Sequence, residues 1–169
     1  MALAGDLEAF EVFITENNEL INMKCERGNV ALHVAASKGH LDMISLLLRK
    51  GANIDVQDCY GNTPLLYAID KMQQDAVGLL IRHGASVHIS DFRGNTPLHS
   101  ACSVNHKEIC EFLLRQGADA EAMDFGSQRP ADRTKVCQQC TYNNQRLFGA
   151  ISIFIQSRYL TSISRLPPT

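Results

Sequence analysis

"DCYGNTPLLYAID" at residues 58–70 returns as "DFRGNTPLHSACS" at residues 91–103, an offset of 91 − 58 = 33 positions. The offset extends along the chain. Asp58, Asp91 and Asp124 follow one another at that interval, and Cys25 stands at the same phase one step earlier. Gly28, Gly61 and Gly94 recur three residues later, and Gly51-Ala52, Gly84-Ala85 and Gly117-Ala118 repeat with the same period. Between them lie MISLLLRK, AVGLLIRH and EICEFLLRQ, whose apolar residues recur at helical spacing. A fixed period of this length means one supersecondary unit stacked on copies of itself, each burying an apolar face against the next.

The interior of the unit reads as turn, helix, helix, return. Asp58 and Asp91 suit the first position of a β-turn, because the carboxylate can accept from backbone amides ahead of it, and the glycine three residues on tolerates positive φ. Thr63-Pro64 and Thr96-Pro97 put an N-cap hydroxyl before a proline in the first helical turn. The first helix then ends at Gly39 in one unit and Asn105 in another, both tolerant of a left-handed residue. Met72 holds that position in the middle unit and predicts a strained turn. The second helix ends at Gly51, Gly84 or Gly117.

GNTPLHSAC, GNVALHVAASKGHLDMISLLLRKGANIDVQD and GADAEAMD closely resemble the ankyrin repeat, over roughly residues 5–132. The resemblance implies an all-α solenoid of helix-turn-helix units with β-turn or hairpin tips. The expected organisation is a partial repeat over 1–24, full repeats over 25–57, 58–90 and 91–123, a partial repeat over 124–140 and a non-repeat tail over 141–169. In the first segment only the second half of a unit is visible, with one extra loop residue. Three full repeats are near the minimum for a stable array, so the terminal segments matter as caps.

Function classes narrow next. The chain has 169 residues and a net charge of −2, which argues against a nucleic-acid partner. No phosphate-cradling glycine loop, H-E-x-x-H or G-x-S-x-G motif occurs, so no enzyme activity, cofactor or metal is expected. By resemblance, the array binds a partner protein on the concave surface formed by turn tips and first helices. By phase, the tips carry Arg27 and Asn29, then Tyr60 and Asn62, then Phe92, Arg93 and Asn95, then Phe125. The groove side of the first helices carries Val34, Ser37 and Lys38, then Tyr67, Asp70 and Lys71, then Ser100 and Ser103. Tyr60, Phe92 and Phe125 with Arg27 and Arg93 match the aromatic and arginine enrichment of binding hot spots. The competing reading is that these aromatics pack on the adjacent turn and only stiffen the array.

Other residues invite plainer readings. His33 and His99 hold the histidine of T-P-L-H, which the resemblance assigns to hydrogen bonding between units, whereas Leu66 replaces it in the middle unit. Cys102 and Cys110 fall at core phases, and Cys59, on a tip, is the most exposed thiol expected. The opening MALAGDLEAFEVF lacks a signal-peptide pattern, so a reduced cytoplasmic or nuclear monomer is expected.

The charge is uneven. Residues 133–169 carry five cations and no acid, while all 18 acids lie from Asp6 to Asp132. Within that basic segment, Cys137-x-x-Cys140-Thr141-Tyr142 resembles the first half of a Ran-binding type zinc finger. No second cysteine pair follows to complete four ligands. The stretch LFGAISIFIQS at 147–157 is too short to span a bilayer and reads as a helical cap, a loose tail, or a weak contact with an anionic membrane surface. An alternative reading makes the array a targeting or regulatory head, or a truncated isoform, of a larger protein with an enzyme or zinc-finger domain.

Overall fold

The structure, a computed structural model, describes residue 9 and residues 11–133. The 135–144 cysteine segment and the 141–169 tail lie outside the described residues. Among the described residues every regular element is a helix. A short helix α1 covers residues 11–16 and leads into a 3-10 turn over Asn18–Asn22. Three helical hairpins follow: α2 (Ala31–Lys38) with α3 (Leu41–Arg49), α4 (Pro64–Asp70) with α5 (Gln74–Arg82), and α6 (Pro97–Ser103) with α7 (Lys107–Arg115). A second 3-10 turn, Pro130–Arg133, closes the described chain.

Packing follows from the spacing of apolar side chains. The second helices bury Ile44, Leu46 and Leu47, then Ala76, Val77 and Leu80, then Ile109, Cys110 and Leu113, each set on one face. The first helices are apolar on more of their circumference, as in Pro64, Leu65, Leu66, Ala68 and Ile69, because they are the middle layer. Thus α4 touches α2 on one side, α6 on the other and α5 behind, while the Pro130–Arg133 turn packs against α6. Burying one leucine in such a layer stabilises by about 1.5–3 kcal/mol. Ile14 and Ile21 are buried as well, so the half-unit before α2 contributes to the core. Its docking is polar too: Lys50 Nζ donates to Thr15 Oγ1 at 2.8 Å, and the Asn53 amide to Asn22 Oδ1 at 2.9 Å.

The loop glycines behave as expected. Gly39 lies at φ +70° after α2, and Gly51, Gly84 and Gly117 at +91°, +96° and +92° after the second helices. Asn105 takes φ +58° after α6, and Met72 is forced to φ +55° after α4. A side chain in that region costs roughly 1–2 kcal/mol, and Met72 is 58% exposed, so little packing offsets it. Met72→Gly is therefore expected to raise the unfolding free energy by about 0.5–1 kcal/mol, after allowing for the freer unfolded chain. Equilibrium urea denaturation checks this, and a lower midpoint for the variant would show that the methionine packs usefully.

The histidines link one unit to the next. Nδ1 of His33 accepts the Val30 amide at 3.1 Å, which leaves the proton on Nε2 to donate to the Asn62 carbonyl at 3.0 Å. His99 does the same with the Thr96 amide at 3.2 Å and the Gln128 carbonyl at 3.0 Å. Burial pushes His33 below its usual range, against the pull of the Asn62 carbonyl, so its neutral form is favoured. In the middle unit Leu66 supplies no such link. Instead the Thr63 hydroxyl accepts the Leu66 amide at 3.3 Å and caps α4 alone.

Candidate functional site

Three of the four tips are built around an aspartate, buried at Asp58 and Asp124 and half-buried at Asp91. Asp58 Oδ1 accepts the amides of Tyr60 and Asn62, both at 2.8 Å, and Asp91 Oδ1 accepts those of Arg93 and Asn95 at the same distance. Asp124 repeats the pattern with Gly126 and Gln128 at 2.7 and 3.0 Å. At Cys25, where no carboxylate is present, the turn is closed by backbone bonds alone, Cys25 to Asn29 and Gly28 to Cys25. Consecutive tips are then tied edge to edge. The Cys59 amide donates to the Arg27 carbonyl at 3.1 Å, Phe92 to Tyr60 at 3.0 Å, and Phe125 to Arg93 at 2.9 Å. The tips thus form a continuous rail beside the first helices.

The rail also fixes how the aromatics pack. A Cβ placed on Gly61 would lie 2.6 Å from Phe92 Cδ1, and one on Gly94 would lie 3.0 Å from Phe125 Cδ1. Phe92 and Phe125 therefore rest one ring edge on the glycine of the preceding tip. Much of each ring still faces outward, with exposures of 60% at Tyr60, 63% at Phe92 and 80% at Phe125. Stacking on the neighbouring tip and exposure coexist.

Between the tips and the first helices lies a groove of about 430 Å³. Of the expected contact residues it gathers Tyr60, Asn62, Phe92, Arg93 and Asn95, together with Asp70, Ser100 and Ser103 on α4 and α6. Arg27 and Lys38 are exposed on the preceding repeat, Lys71 is exposed beyond α4, and Phe125 stands on the next tip, none of them lining this groove.

Tyr67 has a different task from the one its phase suggests. Its hydroxyl lies 2.9 Å from Asp58 Oδ2 and 3.1 Å from Asn29 Oδ1, so it clamps two tips together, with its ring edge-on to His33. Asn29 is committed through that contact. Asn62 and Asn95 likewise turn their amide groups inward, to Asp58 Oδ2 at 3.3 Å and Asp91 Oδ2 at 2.8 Å. The asparagines thus help shape the tips, while Arg27, Tyr60, Phe92, Arg93 and Phe125 are exposed on them.

Arg133 is a groove residue not among the contacts expected from the sequence, although it stands 33 positions after Ser100 and so at the phase of Tyr67. It lines the groove and donates from Nε to the buried Asp124 at 2.9 Å, with a second contact from Nη2. The Gln128 amide bond, stronger than the cost of burial, and the Arg133 contact hold the Asp124 carboxyl below the usual range.

The cysteines divide as expected. Cys102 and Cys110 are buried with sulfurs 3.8 Å apart, and Cys25 and Cys59 are exposed. The contact with Cys110, and burial, push the Cys102 thiol far above its ordinary range, as suits a protonated core residue. Among the described residues no group of three or more His, Cys, Asp or Glu side chains is arranged to hold a metal ion, and no helix is long and apolar enough to cross a membrane.

Comparison with known proteins agrees with this architecture. A family model described as ankyrin repeats, three copies, matches residues 1–91, and a single ankyrin repeat model matches residues 93–125. Cortactin-binding protein 2 of Dasypus novemcinctus is 39% identical over 57 residues, 34% of this chain and 3% of that protein. Its counterpart in Mus musculus is 37% identical over the same length, covering 4% of that protein. The 60 kDa lysophospholipase of Mus musculus is 40% identical over 50 residues, 30% of this chain and 9% of the enzyme. The matched segments are thus small parts of much longer relatives.

Proposed function

This chain belongs to the ankyrin repeat family, and from that premise we propose that it is a non-catalytic adaptor that docks a partner protein on its tips and first helices. Ankyrin repeats generally mediate protein–protein interaction. The observation that carries the reading is the row of aromatic rings on the rail. Tyr60, Phe92 and Phe125 remain more than half exposed. Large rigid side chains of this kind, beside Arg93, are what interface hot spots are made of. The same reading puts the protein in the cytoplasm or nucleus as a monomer, where Cys25 and Cys59 stay reduced.

The test begins with affinity capture by the full chain and identification of a bound protein, followed by titration of that protein against variants. Tyr60→Ala/Phe92→Ala is expected to weaken binding more than tenfold, because each truncation at a hot spot costs about 2 kcal/mol. Arg27→Glu/Arg93→Glu is expected to weaken it as well. Unchanged affinity in both variants, with unchanged thermal midpoints, removes this surface from the interface.

A second reading, an array serving as the targeting or regulatory head of a longer protein, is favoured by one observation. In the relatives the matching segment is 3–9% of the whole. Mass spectrometry of the endogenous protein tests it: peptides shared with a much longer chain support the reading, and a single product of about this size removes it.

A further inference from the structure

We propose that the groove seats a cationic side chain, arginine or lysine, from an extended partner segment, held beside the Tyr60 and Phe92 rings and against the Asp70 carboxylate. This rests on the docking reading above and names the chemistry of what docks.

The first support is the pair of rings. Tyr60 and Phe92 stand on consecutive tips joined by the bond from the Phe92 amide to the Tyr60 carbonyl, and both line the groove. Phe92 is fixed by its ring edge on Gly61. Exposed aromatic faces attract cations through the ring quadrupole, and most strongly where water is partly excluded.

The second support is a groove carboxylate that is neither tied into a tip nor held in an ion pair. Asp58 and Asp91 have both oxygens occupied by the hydrogen bonds of their own tips, and Asp124 is paired with Arg133. Asp70, the last residue of α4, also lines the groove, and among the described residues no ion pair reaches it. The residue is exposed at the groove, and the Ser100 hydroxyl of the next repeat bonds to its carboxylate. Desolvation pushes its carboxyl above the ordinary range; the Ser100 hydroxyl and the charge of the neighbouring Lys71 offset this only in part, and the Asp91 charge adds to the push. A carboxylate in this position gains from a cation brought to it.

The third support is that the groove's own arginines do not fill the role. Arg133 is engaged by Asp124, and Arg93 sits at the outer tip without an ion pair among the described residues. A metal ion is a poor candidate, because two of the three groups around the position are aromatic rings rather than ligands. A long side chain with an apolar stem and a charged head fits both the rings and the carboxylate.

The experiment pans a phage-displayed random heptapeptide library on the full chain and measures synthetic, fluorescein-labelled consensus peptides by anisotropy. An arginine or lysine fixed at one position is expected. Its replacement by alanine, or Asp70→Asn in the protein, should weaken binding about tenfold, while Asp75→Asn on α5 leaves affinity unchanged and Asp70→Glu restores part of it. Thermal melts of each variant control for folding. Peptides that need Tyr60 and Phe92 but show no fixed cation, or are indifferent to Asp70→Asn, overturn this inference and leave the docking reading standing. An acidic consensus also overturns it and shifts the contact to Arg93. A library yielding no peptide sensitive to Tyr60→Ala or Phe92→Ala removes both.

Discussion

Gly61→Ala is expected to lower the unfolding free energy by about 3 kcal/mol, whereas Gly51→Ala, in the same backbone region, should cost only about 1 kcal/mol. Both glycines have positive φ, +82° and +91°. The difference lies in what a methyl group meets. At Gly51 nothing stands within 4 Å, but at Gly61 the Phe92 backbone nitrogen and ring carbon Cδ1 would both be 2.6 Å away. The tip beyond must move, and the bond from the Phe92 amide to the Tyr60 carbonyl lengthens or breaks, adding about 0.5–1.5 kcal/mol to the backbone strain. Guanidinium denaturation of the two variants measures the contrast. Equal losses would mean that the rail contributes nothing to stability.

A comparable loss, about 3 kcal/mol, is expected for Asp58→Ala. The side chain is 4% exposed and accepts from two amides at 2.8 Å, the Tyr67 hydroxyl at 2.9 Å and the Asn62 side chain at 3.3 Å. Bonds to a charged group are worth about 1.5–3 kcal/mol each when broken singly, and alanine would leave the donors unpaired beside the core. Asp91→Ala should cost less, because Ser100 stands at the phase of Tyr67 and makes no hydrogen bond to Asp91. Acid provides a second readout. Burial pushes the Asp58 carboxyl up, but the Asn62 and Tyr60 amides and the Tyr67 hydroxyl together hold it below its ordinary value of 3.8. A depressed carboxylate stabilises the fold above that value and loses its contribution as pH falls through the folded value. The gap between the native chain and Asp58→Ala should therefore be full at neutral pH and narrow below about pH 3.8; a gap that stays constant into acid would assign the loss to packing instead.

How far the letters could carry the account differs from residue to residue. The strained turn at Met72, the linking histidines, the missing link at Leu66 and the buried pair Cys102 and Cys110 were all readable from phase. Tyr67 was not: its phase put it on the groove, yet its hydroxyl is spent on Asp58 and Asn29. Arg133 stands at the phase of Tyr67 and Ser100 and meets Asp124 as Tyr67 meets Asp58, but the change from tyrosine to serine to arginine hid that shared role until the contact was seen. The aromatic tips were legible as candidates, but not their double role, resting on one glycine and facing outward at once.

The period, the paired helices and the left-handed turns belong to the amino-acid order, because each depends on residues a few positions apart: a 3.6-residue apolar recurrence, a capping threonine, a glycine free to take positive φ. Which side chains meet in the groove belongs to the stack. A tip's partners come from the next unit, about one repeat away along the chain, so their pairing depends on how neighbouring hairpins settle against each other. That settling joins the Phe92 amide to the Tyr60 carbonyl and brings Asp70 of one repeat into the groove with Phe92 and Ser100 of the next.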